Sequence, residues 1–303
     1  MHSGIYCEKR IFRIPYLKPA TTTMKLDSSN PPIYLPNKEQ TSVLQLGFEN
    51  CSENEWISPA IDLPVFYKHK LELSQSKIDE CYAFTQQSVA AQQEFHDVLL
   101  HHLCVNPRLG YSRVDKQLLH RQEKLAWEID DKKLWQASLW VPEDFCLLEK
   151  KADGYVMTAA SVCSPSNWNL QKKIGQTVDA IHGPVPDYDR VLSERVNRFL
   201  GGMRSGRVLL RYNWSIQSGN ELFWRDDLHP TPGVLKSDSP NVYWRIERQT
   251  FTRLPISGVI VFGIRVFLHS FDSLRDIEGF DESIEQLLSQ LPAIQKRYKG
   301  LAT

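Results

Sequence analysis

A chain of 303 residues is long enough to bury a large core, and its 42% hydrophobic and 24% charged residues exclude a wholly disordered protein. Its 36 lysines and arginines are balanced by 36 aspartates and glutamates, so no global positive charge draws it to nucleic acid or to an acidic membrane surface. The longest apolar run, within Val259 to Leu268, is broken by Arg265 and is far too short to span a bilayer.

Glu8, Lys9 and Arg10 stand where a secretory signal needs an apolar stretch, so a cytoplasmic protein is expected. Pro15, Pro19, Pro31, Pro32 and Pro36, with Thr21 to Thr23, Ser28 and Ser29, make residues 1–45 an extended or poorly ordered segment, a tail or a strap across the surface. Residues 46–303 are expected to form a single domain. Cys7, Cys51, Cys81, Cys104, Cys146 and Cys163 are scattered, without the close pairs that hold zinc or an iron-sulfur cluster. They read as free thiols in a reducing compartment.

From Ser76, with Asp79 three residues later, Ile78, Tyr82, Val89, Phe95 and Leu99 recur at roughly helical spacing until Asn106, Pro107 and Gly110 end the pattern. A second helix is expected from Val114 to about Ile129. Strands follow at Leu134 to Val141 and Gly154 to Val162, each stopped near a proline. A short helix from Tyr188 to Leu200 carries Val191, Leu192, Val196 and Phe199 on one face and ends at Gly201 and Gly202. Three strong strands are read at Arg207 to Gln217, Val242 to Phe251 and Gly258 to Leu268, and a helix from Asp281 closes the chain. The expected class is α+β, an antiparallel sheet with helices on one side and at its ends.

Two strands are unusual in their polarity. Alternation puts Arg211, Asn213, Ser215 and Gln217 on one face of the first, and Tyr243, Arg245, Glu247 and Gln249 on one face of the second. Such faces either look at water or line a pocket. The third strand is apolar on both faces except for Gly263 and Arg265, which favours burial on both sides. A charge on it calls for a partner, so Glu247 is read as pairing with Arg265 or Arg211, and Gly263 as leaving room for a close approach to the backbone.

Of the nine histidines, His101 and His102 suit a helix end, where positive charge is favourable. His229 suits a turn before Pro230. His182 precedes Gly183, Pro184, Val185 and Pro186, a rigid mount compatible with a structural residue or with an axial metal ligand. The motifs of zinc proteases, serine hydrolases and dinucleotide-binding loops are absent.

The stretches Ser161 to Trp168, Ile181 to Pro186, Arg195 to Phe199, Arg211 to Ile216, Arg245 to Thr250, Arg253 to Pro255 and Ile264 to Arg265 run in one register. Together they resemble the signatures of the haem-dependent oxidative N-demethylase catalytic (alpha) subunit. That resemblance implies a PAS-like fold whose sheet and flanking helices enclose haem b. It also implies dioxygen-dependent oxidation of a small secondary amine such as dimethylamine to a primary amine and formaldehyde. Electrons are then expected from NADPH through a separate flavin and iron-sulfur reductase.

Carried over residue by residue, His182 is the implied iron ligand and Glu247 the implied amine-binding group and proton acceptor. Arg211 and Arg265 are the implied partners of haem propionates or of Glu247, and Asn213 is the pocket residue. A haem-binding sensor or carrier without turnover is the alternative the residues leave open.

Overall fold

The computed structural model describes residues 5–6, 34, 47–183, 192–225, 241–293 and 296. In chain order the elements open with β1 (Ile5–Tyr6), β2 (Glu49–Cys51), α1 (Leu63–Ser76), α2 (Ile78–Cys81), β3 (Tyr82–Thr85) and α3 (Val89–Val105). Next come β4 (Tyr111–Val114), β5 (Gln117–His120), β6 (Leu125–Glu128), α4 (Leu134–Ser138), β7 (Asp144–Lys151) and β8 (Gly154–Ser161). The chain continues through α5 (Val178–His182), α6 (Ser193–Gly202), β9 (Val208–Ser218), β10 (Val242–Arg253), β11 (Ile260–Ser270), α7 (Phe271–Leu274) and α8 (Phe280–Gln290).

One antiparallel sheet organises the molecule, in the order β1-β3-β8-β7-β11-β10-β9-β2, and β4, β5 and β6 form a small separate meander. The expected α+β class therefore holds. Its central five strands, β8-β7-β11-β10-β9, stand second, first, fifth, fourth and third in chain order, and α5 and α6 lie between the second and the third.

Helices cover both faces of this sheet rather than one. On one face Val178 and Ile181 of α5 and Leu200 of α6 bury against Phe251, Ile260, Cys146 and Leu148. On the other, α1, α3 and α4 pack on Phe145, Leu147 and Val261, while Phe271, Leu274, Phe280, Ile284 and Leu287 of α7 and α8 cover Trp214, Trp244, Ile246 and Phe267. The reason lies in β11, buried along most of both its faces as its double-sided apolar pattern requires.

Three sequence expectations are overturned. The single helix expected from Ser76 is instead the end of α1, then α2, β3 and α3, because Tyr82 to Phe84 pair with β8 across the sheet. Residues 114–129 fold as hairpins: Asp115 and Lys124 take the positive φ of tight turns, and Leu125 and Trp127 are buried while Ala126 and Glu128 are exposed, a period of two. Leu134 to Val141 begins as helix α4 and then continues as buried turn, with Ser138 Oγ donating to the Trp135 carbonyl at 2.7 Å. β7, unmarked in the sequence reading, fills the sheet position between β8 and β11.

The start of β7 is fixed by a buried lysine. Lys70 of α1 is fully buried and donates to the carbonyls of Ser138, Val141 and Glu143, with Asp144 3.7 Å away as its counter-charge. Asp144 in turn accepts from the Ser164 backbone N–H at 2.7 Å, which anchors the loop after β8.

Candidate functional site

The register of β9 against β10 sets Arg211 opposite Gln249, Asn213 opposite Glu247, Ser215 opposite Arg245 and Gln217 opposite Tyr243. The two polar faces read from alternation are thus one continuous polar surface, on the side covered by α5 and α6. It does not simply face water: the Glu247 side chain is 13% exposed and that of Arg245 is fully buried.

Glu247 is held from three directions. Its Oε2 accepts from Asn213 Nδ2 at 3.1 Å and from Gln249 Nε2 at 2.9 Å, while Arg245 Nε stands 3.3 Å from Oε1. The guanidinium of Arg245 continues to Gln217 Oε1 at 3.3 Å and to the Ser164 carbonyl at 2.5 Å. Burial pulls Arg245 below its ordinary pKa, and the Glu247 charge and hydrogen bond work against that.

Arg211 lies further along the same face, its guanidinium over the ring of Phe48 at 5.7 Å. Phe48 stacks on Phe199 of α6 at 3.8 Å and meets Phe251 edge-on, an aromatic floor beside the polar row. Burial lowers the Arg211 pKa, with Glu247 the foremost opposing influence.

His182 ends α5, a turn capped by Thr177, whose side chain accepts from the Ala180 backbone N–H. A carbonyl only accepts, so the 2.8 Å contact between His182 Nδ1 and the Val178 carbonyl assigns the ring proton to Nδ1. Protein crowding around the ring lowers its pKa although the residue reaches solvent. The Val178 bond opposes this shift, and the cations Lys173 and Arg211 add to it. The result is a neutral imidazole with its lone pair on Nε2. Pro184, Val185 and Pro186 of its mount, and His229, lie outside the described residues.

The structure therefore brings Arg211, Asn213 and Glu247 onto one face and links His182 to them through the charge of Arg211. It separates Arg265 from them. Glu247 pairs in register with Val266, so Arg265 points to the opposite face. There it forms a buried ion pair with Asp62, with Phe66 at 4.3 Å and Phe267 at 4.9 Å from its guanidinium. The expected Glu247 to Arg265 pairing is corrected on that ground.

Tyr212 and Trp214 also take the opposite face, stacked on Tyr34 and Trp244. Gly263 makes room for its own neighbours: an added Cβ would meet Thr250 Oγ1 at 2.7 Å and Phe145 at 3.3 Å. Arg245 and Gln249 are the site residues the sequence reading passed over. Their signal was present, since both sit two positions from Glu247 on its own face.

Fold and site together define an α+β protein with a carboxylate braced by two amides and a guanidinium on one face of an antiparallel sheet, and a neutral imidazole at the end of α5. The family model described as haem-dependent oxidative N-demethylase, alpha subunit-like, matches residues 47–303, and the chain belongs to that family. Among the described residues no helix is long and apolar enough to cross a membrane.

Proposed function

We propose that this chain binds haem b through His182 and oxidises a small secondary amine of the dimethylamine kind to a primary amine and formaldehyde. The order of the five central strands, with helices between the second and third, supports a PAS-like reading in which residues 46–303 form one haem-binding unit. The donor set fits haem: the Nδ1 proton of His182 rests on the Val178 carbonyl, which leaves the tautomer that ligates through Nε2. Arg211 and Lys173, the cations that bear on His182, suit the propionate carboxylates. Bound haem would supply the activation of dioxygen.

The braced Glu247 carboxylate is the observation that carries the amine reading. A dialkylammonium has no lone pair and must lose a proton before its nitrogen can be oxidised. Glu247, fixed by these bonds, would pair with that cation as a carboxylate and then accept its proton. Asn213, on the facing strand, would hold Glu247 in place at the substrate. Electrons would reach the site from NADPH by way of a separate flavin and iron-sulfur reductase, in the cytoplasm.

The test is the absorption spectrum of haem-loaded protein before and after dimethylamine. The wild type is expected to show a Soret band that shifts with amine, His182→Ala to lose the band, and Glu247→Gln to keep it while losing the shift. An amine-independent Soret band would favour a sensor or carrier, and an equal shift in Glu247→Gln would remove the role given to that carboxylate.

A further inference from the structure

We propose that Arg245 is the positioning residue of this site: its buried guanidinium keeps Glu247 ionised, fixes its orientation and ties it to the loop that follows β8. The meaning of this for amines rests on the reading of Glu247 given above. The contact itself does not.

Arg245 is fully buried, and a guanidinium is costly to desolvate unless its donors are used and its charge is met. All three of its nitrogens are used, on Glu247 Oε1, Gln217 Oε1 and the Ser164 carbonyl. Asn213 and Gln249 hold the other carboxylate oxygen, but they are neutral amides and set direction more than charge.

Two cations among the described residues act on Glu247. Arg245 comes from its own strand and Arg211 from β9, and the residue paired with Glu247 on β11 is Val266. Asp144 of β7 acts on Arg245 itself. A cation within hydrogen-bonding distance favours the ionised carboxylate. A protonated Glu247 could neither pair with an ammonium nor take a proton from it.

The same guanidinium grips the Ser164 carbonyl, and Asp144 grips the Ser164 N–H from the other side. Asn167 N–H and Trp224 N–H then exchange bonds with Trp224 and Pro165 carbonyls, so the loop is joined to the segment after β9. Loss of Arg245 would remove one support from the carboxylate and one from the loop together.

The decisive measurement is an infrared titration of the Glu247 carboxyl in the full chain, read as the difference between wild type and Glu247→Gln. In the wild type the midpoint is expected below the ordinary glutamate value of about 4.3. In Arg245→Gln it should rise by about 1–3 pH units, and in Arg245→Lys, which keeps the charge, it should stay near the wild type. A purely structural Arg245 would alter thermal stability and leave the midpoint alone, so equal midpoints in wild type and Arg245→Gln overturn the proposal. Should Arg245→Gln not fold, a wild-type midpoint at or above the ordinary value overturns it equally. A midpoint governed by Arg245 but untouched by dimethylamine would uphold the positioning role while removing the amine reading.

Discussion

His102 shows how an individual side chain departs from its sequence context. Near the end of α3 it was expected as a cation favourable to the helix terminus, yet its ring packs edge-on against Trp56 at 5.1 Å. Its Nε2 is buried with no hydrogen-bond partner among the described residues. Burial first, and then the neighbouring His101 charge, push its pKa down to about 4. A depressed histidine is neutral in the fold, so between its unfolded value of about 6.5 and its folded value the proton belongs to the unfolded chain. Stability from this residue is therefore intact above pH 6.5 and is lost as pH falls towards 4. With allowance for its partial exposure the loss should be about 1–2 kcal/mol. Urea unfolding between pH 7 and pH 4 should show a steeper decline for the wild type than for His102→Phe; parallel declines would mean that His102 is protonated in the fold.

At the level of elements, the close approach of β10 to β11 at Gly263 is a packing requirement that can be measured. Thr250 sits opposite Gly263 in the ladder, and its Oγ1 lies 2.7 Å from where a Cβ would be. Gly263→Ala should destabilise by about 1–3 kcal/mol, and adding Thr250→Ala should recover part of that, since neighbours in contact are not additive. Strictly additive unfolding energies for the two single variants and the double would refute the clash. The same three strands show what was legible in the sequence. Their β-branched and aromatic alternation gave the positions of β9, β10 and β11 within a residue or two, and the polar row from Arg211 to Gln217 with its partner from Tyr243 to Gln249. Alternation assigns faces only within one strand, however. Placing Arg265 relative to Glu247 needs the register between strands, which the pairing of Glu247 with Val266 supplies and composition does not. The apolar runs at 114–129 and 134–141 failed for a different reason: short runs satisfy helix and strand periods alike until tertiary partners choose.

Across the whole molecule, the sheet turns Glu247 and Arg265, which the sequence reading had joined, to opposite faces. Arg211, Arg245 and Glu247 occupy the face under α5 and α6, whereas Arg265 and Asp62 lie under α1 on the other. Glu247 and Arg265 point to opposite faces and so do not meet across the sheet, and although Phe66 and Lys70 of α1 reach towards both, the two ion pairs should answer mainly to different measurements. Asp62→Ala would leave the Arg265 guanidinium buried and unpaired, with a cost of about 3–5 kcal/mol in unfolding, because an uncompensated interior charge is far worse than no charge. The folded fraction should nevertheless keep the wild-type Soret band and amine response. Arg211→Met, which retains apolar cover over Phe48, should cost little stability, yet it should speed haem transfer to an acceptor protein by removing a cation that acts on His182. The pair of variants forms a crossed comparison, with stability lost alone in one and haem retention lost alone in the other. If Asp62→Ala altered the haem spectrum as much as Arg211→Met, the two faces would be coupled through β11, and the site would have to be redrawn to include both.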